Sequence, residues 1–189
     1  RCRTGYGGVG GAVADPPAGG YFTPGRFEWV RGVGFEFGEV TRHVGAGTFV
    51  PVKDDDAAKH PMHTEHFEVR RATVAHLLER WGHITAVGTT SVRTLESLPA
   101  LAWRLRTAGD HPTEQVIGQW ELHDIPEEFT GREALEMLLP YMETHGPPSL
   151  QPPTPTTITP RGYDFPLRQN HTPTRPHPHS HLTTTPSAL

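Results

Sequence analysis

The apolar positions change period twice between residues 72 and 98. Val74, Leu77, Leu78 and Trp81 recur at helical spacing and predict an amphipathic helix over 72–81, with Gly82 as its stop. Ile84, Ala86 and Val87 then make a short apolar run of the kind a buried strand carries. Gly88, Thr89, Thr90 and Ser91 follow without a bulky side chain, and Val92, Leu95 and Leu98 resume a helical stripe. This predicts a central strand over 83–87, a small-residue turn and a new helix capped by Thr90 or Ser91. Pro99 is expected to end or kink that helix.

The same patterning extends either way. Thr23-Pro24 has the form of an N-cap with proline at the first helical position, Phe27 and Val30 share a face, and Gly32 can end the helix. Val33, Phe35 and Phe37 alternate with Gly34, Glu36 and Gly38, which predicts a strand. Thr130 and Glu133 form a capping box ahead of Leu135, Leu138, Leu139 and Met142, so a helix is expected over 130–145, kinked at Pro140. Helices and strands in short succession predict an α/β core over 23–146.

Composition sets the limits of that core. The chain has 189 residues, 34% of them hydrophobic, with 20 glycines and 20 prolines. Residues 1–22 are Gly/Pro-rich and are expected to be a flexible lead-in. The GYGGVGG there is no dinucleotide fingerprint, because no strand precedes it and no helix follows directly. Eleven of the prolines fall in 147–189, with much of the rest Thr and His. Such a tail has too little apolar surface to offset the entropy of ordering it, so it is expected to be disordered. Its histidines predict at most weak metal binding. A formal net charge of −4 and no basic run give no bulk electrostatic signal for nucleic acid. Cys2 is the sole cysteine, which excludes an internal disulfide and a Cys-based metal site. No apolar run approaches membrane-spanning length and no secretory signal is visible, so a soluble cytoplasmic monomer is the expectation. The first residue is Arg, as in a fragment.

Candidate chemistry gathers in three stretches. The turn over 88–91 lets a ligand approach the backbone, and the N–H groups of the helix behind it suit an anion or a polar ligand head. Arg93, placed early in that helix, opposes the macrodipole by up to ~1 kcal/mol unless an anion offsets it. The competing reading is a side chain in solvent or paired with Glu96. GAGT at 45–48 is a second small-residue bend. His60, His63 and His66 are spaced by three, but Pro61 and the HFEV that follows favour a strand, with His63 and Glu65 on one face and His66 on the other. No established metal-ligand spacing is present, so no metal is expected. His63 and Glu65 read as acid/base or hydrogen-bonding groups, or equally as an exposed polar edge.

The segments AVADPPAGGYFTP, TRHVGAGTFVPV, PMHTEHFEV and ITAVGTTSVRTLES, in this order, resemble the S-adenosylmethionine:tRNA ribosyltransferase-isomerase family over roughly residues 4–146. QVIGQWELHD and ALEMLLPYME are similar to a sub-branch of it. The resemblance implies the later part of the family's larger domain, with its inserted β-barrel domain absent. It implies an enzyme of queuosine biosynthesis. The ribosyl group of S-adenosylmethionine is moved onto 7-aminomethyl-7-deazaguanine in tRNA and isomerised to give epoxyqueuosine, with adenine and methionine released. S-adenosylmethionine and tRNA are the implied substrates, and no metal is implied. His43, His63, Glu65 and Arg93 match family motifs and are the candidate catalytic residues. Thr48, Gly88, Thr89, Thr90 and Ser91 are the candidate substrate-binding residues. Tyr21 departs from the family's histidine at its position. Beyond RGYDF at 161–165 the family's strand and apolar helix are replaced by the Pro/His/Thr-rich tail, as a frameshift would do. Neighbouring elements are therefore expected to keep apolar surface exposed. The alternative is an inactive fragment that acts at most as a binding remnant.

Overall fold

The structure is a computed structural model that describes residues 17–43, 64–109, 117–118, 120–145, 149–150, 153–155, 167 and 170–172. A 3-10 turn, Pro17–Tyr21, leads into helix α1, Pro24–Gly32. The Thr23 hydroxyl accepts from the Arg26 N–H, and Pro24 occupies the first turn, where its missing N–H costs nothing. The strand expected over 33–37 does not form. Gly34 takes φ 96°, the Phe35 N–H bonds back to the Val30 carbonyl, and Phe37 turns onto Phe27 with ring centroids 4.9 Å apart. Local aromatic packing and a left-handed glycine override the alternation.

Strands β1, Thr41–His43, and β2, Thr64–Arg70, pair antiparallel. The two-residue period of β2 sends Glu65, Phe67 and Val69 inward and leaves Thr64, His66 and Arg70 exposed. Helix α2, Arg71–Glu79, follows at once and buries Val74. Strand β3, Thr85–Val87, helix α3, Thr89–Ala108, and helix α4, Gly131–His145, complete the main core. A 3-10 turn, Glu121–Asp124, lies between the last two and buries Leu122. The architecture is mixed helix and strand, as an α/β chain requires.

The organising element is α3 rather than the strand before it. Residues 94–102 are buried on every side, so the expected stripe becomes a fully enclosed helix. Helix α4 packs against both α2 and α3. Its start is the predicted capping arrangement, with the Thr130 hydroxyl accepting from the Glu133 N–H at 3.1 Å. Helix α3 neither ends nor restarts at Pro99. An interior proline costs ~3 kcal/mol. Leu98 and Leu101 are both fully buried, and each contributes ~1.5–3 kcal/mol, so packing outweighs the defect. Helix α4 likewise continues through Pro140.

Two further expectations are corrected. Among the described residues β3 pairs only with β6, Asn170–Thr172, in a two-stranded parallel sheet. The central strand is β2, which pairs with β1, with β4, Ser149–Leu150, and with β5, Pro153–Pro155. Ile84 and Ala86 are nonetheless buried. The strands β4, β5 and β6 fall in the tail where no regular structure is expected. Proline is compatible with them because they are two or three residues long and lie at sheet edges. Leu150 and Leu167 reach the core and are almost fully buried. Exposed apolar side chains occur instead near the start, at Tyr21, Trp29, Val33 and Phe35. Among the described residues no helix is long and apolar enough to cross a membrane.

Candidate functional site

Charge is drawn into the core where β1, β2 and the start of α3 meet. The register pairs Arg42 with Phe67, so Arg42 faces inward and lies diagonal to Glu65 on the same face. Its Nε donates to Glu65 Oε2 at 2.5 Å, with the two side chains 4% and 3% exposed. Its Nη1 donates to the Thr94 hydroxyl of α3 at a long 3.4 Å. Its Nη2 is buried and has no hydrogen-bond partner.

Arg93 joins this group from α3. Burial pushes its guanidinium down to about 10, Arg42 pushes the same way, and Glu65 pulls it back up. At neutral pH it remains a cation. Arg93 is partly buried, between the solvent and interior alternatives, and Glu96 is not among the groups that shift it. Helix α3 also begins earlier than expected, at Thr89, so Arg93 stands beyond the first turn, where the macrodipole has weakened. Its unfavourable neighbour is Arg42.

The turn ahead of α3 is built on Gly88. With φ 86° and ψ 149° it occupies a region open essentially to glycine alone. It is the N-cap, and its carbonyl accepts from the Val92 N–H at 3.1 Å. No side chain caps the helix, so Thr90 and Ser91 do not play the expected role. The backbone of Thr89, Thr90 and Ser91 forms the first turn, with Ser91 half-buried.

The predicted catalytic set divides. Glu65 and Arg93 share the inner cluster. His43 pairs with His66 in the register and lies on the opposite face of β1 and β2. There His43, His66, Phe67 and Glu68 line a cleft of about 230 Å³. That is below the ~300–1,000 Å³ of a small-molecule site, so the cleft suits one group rather than a whole ligand. His63 and Thr48 lie outside the described residues. Among the described residues no three His, Cys, Asp or Glu side chains gather as metal ligands would.

Arg42 and Thr94 are the members that the sequence motifs did not single out. Alternation along the strand TRH could have found Arg42, since it puts Arg42 on the face opposite His43. Thr94 carries no such mark, since it sits between predicted stripe positions.

No solved structure matches the chain. Curated relatives do. The S-adenosylmethionine:tRNA ribosyltransferase-isomerase of Thermotoga maritima is 47% identical over 129 residues, covering 67% of this chain and 36% of that protein. The protein of the same name from Rhizobium johnstonii is 54% identical over 90 residues, covering 46% of this chain and 25% of that one. The chain thus spans about a third or less of the length of these relatives. The profile of the family described as queuosine biosynthesis protein matches residues 1–124, about two thirds of the chain, and the chain belongs to that family.

Proposed function

We infer that this chain carries part of a site for transferring and isomerising the ribosyl group of S-adenosylmethionine onto 7-aminomethyl-7-deazaguanine in tRNA, to give epoxyqueuosine. The mixed core then corresponds to the later part of the family's larger domain. The relatives' shared name supports the reaction class. The single observation that carries the reading at the residue level is the buried Arg42–Glu65 pair beside Arg93, next to a glycine turn.

The chemistry needs a donor for the departing adenine, a base for the activated sugar, and groups that answer charge near the sulfonium. Glu65, held by Arg42, is the proposed base or sulfonium counter-charge. Arg93 is the proposed electrostatic group. His43 and His63 are the proposed proton carriers, with His43 acting from the outer cleft. The turn of Gly88, Thr89, Thr90 and Ser91, with Thr48, is proposed to hydrogen-bond S-adenosylmethionine, and tRNA carrying the deazaguanine base is the proposed partner. The protein is proposed to work in the cytoplasm as a monomer.

The test is incubation of the full chain with S-adenosylmethionine and the modified tRNA, followed by mass analysis of the tRNA nucleosides. Appearance of epoxyqueuosine and free adenine supports the reading. The second reading is a span that binds substrate without turnover, and the partial coverage of the relatives favours it. Saturable binding with no product selects it.

A further inference from the structure

Among the described residues, Arg42, Glu65 and Arg93 set two guanidiniums against one carboxylate, while the buried Glu96 accepts from the Leu167 N–H; arginine does not shed its proton at neutral pH. Arg42 is almost closed to solvent and Arg93 is partly buried, and a cation withdrawn from water is unfavourable unless something answers it. The hydrogen bonds point the same way. Arg42 spends Nε on Glu65 and only a long contact on Thr94, while Nη2 has no partner. Among the described residues the Arg93 guanidinium has no ion-pair partner within bonding distance. Both free edges belong to planar forks suited to two-point recognition of an oxyanion.

We propose that Arg42 and Arg93, with Glu65 as their counter-charge, form a partly buried receptor for one oxyanion group of a substrate, a carboxylate or a phosphate. Glu65 orients Arg42 and keeps it from repelling Arg93 outright. The bound oxyanion brings the cluster to neutrality. Two substrates of the proposed reaction offer such a group: the carboxylate of S-adenosylmethionine and a phosphate of the tRNA backbone. The choice of source rests on the proposed function, whereas the receptor itself does not.

The first arm follows thermal unfolding of the full chain in inorganic phosphate against chloride at fixed ionic strength. The wild type is expected to gain in midpoint and saturate. Arg93→Gln is expected to gain nothing specific and, in chloride, to unfold no lower than the wild type, because it removes the excess charge. Phosphate also stabilises proteins generally by exclusion from their surface, so the variant is the control. Equal gains for both proteins mean an adventitious ion only and overturn the proposal. So does an Arg93→Gln protein that fails to fold in chloride, since the wild-type residue would then be a structural partner. Arg93→Lys keeps the charge without the fork and should retain a smaller gain.

The second arm assigns the source by titration of S-adenosylmethionine, its decarboxylated analogue and an anticodon stem-loop RNA. A loss of ~10–100-fold in Arg93→Gln for S-adenosylmethionine, with none for the analogue, identifies the carboxylate. A comparable loss for the RNA, with its salt slope reduced by about 1, identifies a phosphate. Unchanged binding of both by the variant overturns the receptor. A wild type that responds to phosphate yet binds neither substrate upholds the receptor and refutes the proposed function.

Discussion

Glu65 of β2 accepts from Arg42 of β1 at 2.5 Å in a place where both side chains are almost closed to solvent. The pair ties two strands together and faces α3 through Thr94. Glu65→Gln leaves the Arg42 guanidinium buried without its counter-charge, beside the partly buried Arg93. Breaking a buried pair in this way costs ~3–5 kcal/mol. Urea unfolding should show that loss, and the double variant Glu65→Gln, Arg93→Gln should recover part of it. Additive losses would show that the two sites do not interact.

Gly88 sets the turn from which α3 starts. Its backbone lies where an L side chain is strained, so Gly88→Ala should destabilise by ~1–3 kcal/mol. Thermal unfolding reads the effect. A neutral substitution would mean that the turn relaxes freely and fixes nothing.

Helix α3 makes a paired prediction. Leu101→Ala opens a cavity at a fully buried position and should cost ~2–5 kcal/mol. Pro99→Ala restores a donor to the same helix and should not destabilise; the gain is bounded by the ~3 kcal/mol of an interior proline. If both weaken the fold equally, Pro99 is held by its own packing.

A pH prediction comes from the start of the chain. Arg80, and after it His76, hold the Glu36 carboxylate below its ordinary 4.5. A lowered carboxylate contributes stability above its unfolded value and loses it as pH falls through the folded value. Glu36 is exposed, so this contribution is small. An NMR titration should place its midpoint below 4.5, and Arg80→Gln should move it upward. No movement would mean that the contact with Arg80 is absent in solution.

The helices were legible because their signals are local. Thr23-Pro24 and Thr130 with Glu133 mark real helix starts, and HFEV lies in a strand as its residue types predict, although Glu65, equally readable as an exposed edge, is buried. What escaped depends on tertiary partners. Val33 to Phe37 alternates like a strand, yet Gly34 and the Phe22, Phe27 and Phe37 cluster fold it back. Pro99 reads as a break, and only the burial of its neighbours shows why α3 runs on. The strands β4 to β6 are too short to carry a period at all. In the candidate site, Glu65 and Arg93 were singled out by type and by the family resemblance, and they lie in the inner cluster. The motif TRH hid Arg42 behind His43, and strand alternation then sent those two neighbours to opposite faces.

The inner cluster and the Gly88 turn are proposed to form part of a site for S-adenosylmethionine. Calorimetric titration of S-adenosylmethionine into the full chain, with circular dichroism confirming the fold in the same buffer, tests it most directly. Saturable binding with one molecule per chain is expected. A folded chain that gives no binding heat at millimolar ligand would contradict it.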